Sequence, residues 1–147
     1  MREQRWKQMA AWALVFGAGA LVGRAFDTPA ALNAQTPGRV FELRTYTAPD
    51  GKLGDLHKRF RDHTLRIFQK HGMTNVAYFS PQDQPLAGNT LIYLISHASR
   101  EAAKASWSAF VADPEWKKVS SESQVNGPII SKVESVYLNP TDYSPLK

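Results

Sequence analysis

From Val40 to Thr47 the chain alternates, with Glu42, Arg44 and Tyr46 at one parity and Phe41, Leu43 and Thr45 at the other. That period predicts a β-strand, closed by Pro49-Asp50-Gly51. From Leu53 to His71 the period lengthens. Leu53, Leu56, Phe60 and Ile67 recur at helical spacing, Asp50 or Asp55 puts a negative charge at the N-terminal end, and Gly72 stops the run. Val76 to Ser80 is rich in β-formers and ends at Pro81. After a polar segment holding Pro85 and Gly88, Thr90 to His97 predicts a third strand, paired with the second as a long-looped hairpin. Ser99 is placed to cap a second helix, with Ala103, Trp107, Phe110 and Val111 on its buried side and Glu101, Lys104 and Glu122 on its wet side. Asp113-Pro114 interrupts that helix, which restarts at Pro114 and runs towards Ser123. Gly127-Pro128 breaks the chain again, and Ile129 to Leu138 predicts the fourth strand.

The order β-α-β-β-α-β predicts an α+β, ferredoxin-like fold: a four-stranded antiparallel sheet with two helices on one face. The third strand carries the next step. Leu91-Ile92-Tyr93-Leu94-Ile95 is apolar at both parities, whereas a sheet with one wet face would alternate. Only eight residues follow Leu138-Asn139 before the end of the sequence, so the cheapest cover for the second face is another copy of the same sheet. The expectation is a homodimer.

The first 34 residues differ from the rest. A short basic segment, Met1 to Gln8, precedes an apolar run from Met9 to Val22 that Arg24 closes. The run falls short of the roughly 20 residues a membrane span requires, so it predicts an export signal, cleaved after Ala34, and a periplasmic or secreted domain over 35–147. An uncleaved membrane anchor and a mitochondrial presequence are the alternatives. The chain has 18 Lys and Arg against 13 Asp and Glu, a net charge of +5, of which the first 34 residues supply four bases and two acids. The remainder is thus +3. Asp55 and Asp62 interrupt the basic positions of the first helix, which weakens a nucleic-acid reading. With no cysteine there is no disulfide, thiolate nucleophile or cysteine-ligated metal. There is also no phosphate-binding glycine loop, G-x-S-x-G elbow or HExxH pair, so hydrolase, kinase and dinucleotide-dependent activities have no support.

Four segments together resemble the NIPSNAP family: Phe41-Glu42-Leu43-Arg44-Thr45-Tyr46-Thr47; His63 with Ile67-Phe68-Gln69-Lys70-His71-Gly72; Phe110-Val111-Ala112-Asp113-Pro114-Glu115-Trp116; and the closing Leu138 to Leu146. The resemblance spans roughly Arg39 to Leu146. It implies the dimeric α+β barrel superfold, shared with antibiotic-biosynthesis monooxygenases, muconolactone isomerases and chlorite dismutases.

Candidate chemistry centres on His63. Leu56, Phe60, His63 and Ile67 form one helical stripe, so His63 is expected to face the sheet, as a base, a ligand contact or a hydrogen-bonded core residue. Arg44 and Tyr46 share a strand face with Glu42, and burying them requires either mutual pairing, with Glu42 or Glu134 as partner of Arg44, or a pocket. If the domain is a cofactor-independent monooxygenase or isomerase, as the resemblance allows, the catalytic residues are His63, Arg44 and Tyr46. Tyr93, His97 and Trp107 are the expected ligand-binding residues, around a pocket suited to a hydrophobic or aromatic molecule. No metal is expected: His57 and His63 leave a helix about 240° apart, and His63 and His71 stand ~12 Å apart along it. No cofactor is predicted either, although haem, bound by some relatives of the superfold, needs a single axial histidine, with His63 or His97 as the candidate.

Overall fold

A computed structural model of the chain describes residues 38–147, so the targeting segment expected over 1–34 lies outside the described residues. The elements are β1 (Val40–Thr47), α1 (Leu53–Arg59), a π-helical turn (Phe60–Thr64), α2 (Leu65–Lys70), β2 (Thr74–Phe79), β3 (Thr90–His97), α3 (Arg100–Ala112), α4 (Pro114–Glu122) and β4 (Lys132–Leu138). The strands form one sheet in the order β2-β3-β1-β4, with every pair antiparallel. This is the ferredoxin-like α+β topology expected from the element order.

Register fixes the two faces. Glu42, Arg44 and Tyr46 lie across from Ile95, Tyr93 and Leu91 on β3, and from Tyr137, Ser135 and Val133 on β4. These positions face the helices, where Leu56, Phe60, Ile67, Phe68, Ala103 and Phe110 complete the core. Full burial of each large apolar side chain contributes about 1.5–3 kcal/mol. The opposite parity holds Leu43, Ile92 and Leu94, all half-buried, and Val136, which is 54% exposed.

The helix ends follow local chemistry. Ser99 Oγ accepts from the Ala102 amide at 3.1 Å, capping α3. The Asp113 carboxylate accepts from the Glu115 amide at 2.7 Å, with Pro114 in the first turn of α4. Gly72 takes φ +77° after α2, a conformation side chains with a Cβ rarely adopt.

Three local expectations are corrected. Val111 is exposed, because the buried stripe of α3 runs through Ala103, Trp107 and Phe110 and leaves Val111 a further 100° round. The fourth strand begins at Lys132, not Ile129, since Ile129 turns into the core and the ladder starts opposite Thr47. The first helix is continuous in path but not in period. Between Arg59 and Leu65 it takes a π turn, in which the Leu65 amide reaches the Phe60 carbonyl. Such a turn inserts one residue into the helical repeat.

Candidate functional site

The strand face of β1 builds the polar centre of the domain. Glu42 is 1% exposed, and its carboxylate accepts four side-chain bonds. Oε1 takes Arg44 Nη1 at 2.7 Å and Ser135 Oγ at 2.6 Å. Oε2 takes Trp107 Nε1 at 2.7 Å and His97 Nε2 at 3.0 Å. Burial alone pushes this carboxyl up, but the bonds from His97, Ser135, Trp107 and Arg44 outweigh it and hold its pKa at about 2, against an ordinary 4.5. Glu42 is therefore an ionised carboxylate in the interior.

Arg44 is sandwiched as well as paired. Its guanidinium carbon lies 4.2 Å from the centroid of the Trp107 ring and 5.4 Å from that of Tyr46. Burial disfavours the cation, yet Tyr46, Tyr93 and Glu42 together raise its pKa above the usual value. Three polar atoms here have no partner among the described residues: Arg44 Nε, Tyr93 Oη and His97 Nδ1. Burial pushes the Tyr93 hydroxyl well above the ordinary tyrosine range, so it stays protonated.

Around this centre the space between sheet and helices is filled by aromatic rings. Tyr93 contacts Tyr46 and Phe60 edge-on, each at 5.2 Å between centroids, and stacks on Tyr78 at 5.5 Å. Phe68, Trp107, Phe110 and Trp116 continue the cluster. The fold thus gathers Arg44, Tyr46, Tyr93, His97 and Trp107 into one cluster about Glu42.

His63 is elsewhere. The expectation that it faces the sheet is corrected: the π turn carries Thr64 into the buried stripe and leaves His63 exposed. Thr64 Oγ1 donates to the Arg59 carbonyl at 3.2 Å, which satisfies a carbonyl in the disturbed ladder. His97 does not approach His63, being committed to Glu42. Sequence reasoning assigned Glu42 no more than an ion pair with Arg44 and missed that three further side chains converge on it. The shared parity of Glu42, Arg44 and Tyr46 was the one available signal.

Two concavities adjoin the cluster. A groove of about 310 Å³ separates the π turn and its flanking helices from the edge of the sheet, lined by Phe60, Leu65, Tyr78, Phe79 and Leu91. At its mouth His57 Nε2 and Ser80 Oγ are 3.2 Å apart. A second one, of about 490 Å³, holds Trp107 and Tyr137 with Arg100, Glu101 and Lys104. Among the described residues no three His, Asp or Glu side chains group as metal ligands. The surroundings of the two candidate histidines, His63 and His97, do not suit haem. His97 is fully enclosed with Nε2 on Glu42, and the walls around His63 are mostly charged or polar where a macrocycle needs apolar faces.

A comparison with curated proteins gives no significant match. Solved structures give several. A NIPSNAP family protein from Agrobacterium tumefaciens is 25% identical, with a TM-score of 0.65 over 74% of this chain and 99% of that one. A NIPSNAP-like domain protein from Burkholderia xenovorans is 19% identical, with a TM-score of 0.64 over 74% and 90%. SnoaB, a cofactor-independent oxygenase from Streptomyces nogalater, shares the fold at 12% identity and a TM-score of 0.50, over 74% of this chain and 98% of its own. The NIPSNAP family model matches residues 41–145, from the first residues of β1 to the closing segment after β4. The chain belongs to the NIPSNAP family.

Proposed function

We propose that this NIPSNAP-family domain is exported, pairs with a second copy through the open face of its sheet, and binds a small hydrophobic or aromatic molecule in the groove beside Tyr78. The groove carries this reading. Its volume of about 310 Å³ falls at the lower end of small-molecule sites, and its walls are the rings of Phe60, Tyr78 and Phe79 with Leu65 and Leu91, joined by the charged Arg61. Tyr78 and Phe60 both touch Tyr93, so a flat ligand in the groove would extend the stack that fills the core. His57 and Ser80 at the mouth offer polar contacts that fix orientation.

A catalytic reading through His63, Arg44 and Tyr46 requires the three to share one cavity. Arg44 and Tyr46 are instead packed in the interior and His63 stands outside, so binding is the better-supported function. Pairing is supported by the apolar open-face positions Leu43, Ile92, Leu94, Val136 and Leu138, beside which Lys132 and Glu134 form a charged margin on β4, and export by the basic-then-apolar pattern of residues 1–24.

The test is a titration of the domain with 1-naphthol, followed by amide chemical shifts. Saturable changes should centre on Phe60, Tyr78 and Leu91. Phe79→Ala, which removes a half-exposed wall, should weaken binding about tenfold. Perturbations scattered over the surface, or centred on Trp107, would overturn the assignment.

A further inference from the structure

The buried cations of this domain are treated unequally. Arg44 has Glu42, but Arg59, at the end of α1 and 4% exposed, takes part in none of the ion pairs among the described residues. Its one hydrogen bond runs from Nη1 to Ser123 Oγ at 3.4 Å, and its enclosed Nε has no partner. The Trp116 ring backs the guanidinium, with its centroid 5.1 Å away. The side-on edge formed by Nε and Nη2 therefore makes no hydrogen bond to the protein. This is the edge that receives a carboxylate through two parallel bonds. A desolvated guanidinium with no anion is strongly unfavourable, and the long bond to Ser123 and the Trp116 ring offset it only in part.

Arg59 lines a cleft of about 300 Å³ between α1, the π turn and α4. The three acids around it are already committed to lysines: Asp55 to Lys52 at 3.3 Å, Asp62 to Lys58 at 2.5 Å and Glu122 to Lys118 at 3.9 Å. Arg59 is left as the unsatisfied cation. His63, displaced from the core by the π turn, stands at the wall of this cleft, and Val119 and Val125 provide apolar surface.

The geometry points to a site for the carboxylate of a small organic monoacid in this cleft, held by the Arg59 guanidinium, with His63 and Ser123 beside it. A monoanion fits better than phosphate, because among the described residues Arg59 is the one cation of the lining that makes no ion pair, Lys58 being paired with Asp62. The cleft shares no lining residue with the groove beside Tyr78, so the two sites stand or fall separately.

Benzoate is the probe, with neutral benzamide and inorganic phosphate as comparators, each titrated into the domain while the Arg59 Nε–Hε resonance is followed. Benzoate should shift that resonance saturably and bind at least tenfold tighter than either comparator. His63→Ala should weaken benzoate several-fold and leave 1-naphthol binding unchanged. Arg59→Lys keeps the charge without the two-bond edge and should weaken benzoate at least tenfold. Should Arg59→Lys fail to fold, the comparison of benzoate with benzamide on the unaltered domain still decides. Equal shifts with benzamide, tighter binding of phosphate, or no shift of Arg59 Nε–Hε with millimolar benzoate would each overturn the proposal.

Discussion

Replacing Glu42 by Gln preserves the shape of the side chain and removes its charge, and the structure specifies the consequence. All four groups bonded to the carboxylate are donors, two on each oxygen. Whichever oxygen becomes the amide NH₂ meets one obligate donor head-on, Arg44 Nη1 on one side or Trp107 Nε1 on the other, and Arg44 loses its carboxylate while remaining largely buried. Removing one partner of a buried ion pair costs about 3–5 kcal/mol. The lowered pKa of Glu42 leads to a similar figure, since a shift from 4.5 to about 2 corresponds to about 3 kcal/mol. Because the folded-state pKa is the lower one, this stabilisation is complete above pH 4.5 and is lost as pH falls through 4.5 towards 2. Urea denaturation of the domain and of Glu42→Gln should therefore differ by about 3–5 kcal/mol at pH 6.5, or roughly 15 °C in melting temperature, and the gap should close on acidification towards pH 2.5. Glu122→Gln, which disturbs only an exposed pair with Lys118 on α4, should change stability by less than about 0.5 kcal/mol. A difference below about 1 kcal/mol for Glu42→Gln, or one constant from pH 6.5 to 2.5, would show that the four bonds do not act as a charged centre.

Tyr93→Phe removes a buried hydroxyl that has no partner among the described residues, so stability should be unchanged or rise by up to about 2 kcal/mol in chemical denaturation. A loss above about 1 kcal/mol would mean that the hydroxyl has a partner after all. Val136→Arg places a charge on the open face of the sheet, and analytical ultracentrifugation should show it shifting the domain from dimer to monomer at micromolar concentration. If the unaltered domain sediments as a monomer, a second copy does not cover that face.

The sequence alone determined the fold, because it rests on signals that repeat over many residues. The alternation in Val40 to Thr47, the helical spacing from Leu53, and the breakers at Gly72, Asp113-Pro114 and Gly127-Pro128 each constrain a whole element. The same periodicity set Arg44 and Tyr46 on one face, and register then brought Tyr93 alongside them. Convergence was decided only by tertiary structure. That Trp107, His97 and Ser135 all aim at Glu42 depends on α3 crossing the sheet and on β4 lying beside β1, and no local pattern encodes a bond across 93 positions. The position of His63 shows the limit most directly. A regular helix would turn it inwards, but burying Thr64 with its hydroxyl on the Arg59 carbonyl inserts an extra residue into the turn. One added residue rotates the remainder of the helix by about 100°, so a single packing choice moved the most suggestive side chain from the core to the cleft of Arg59.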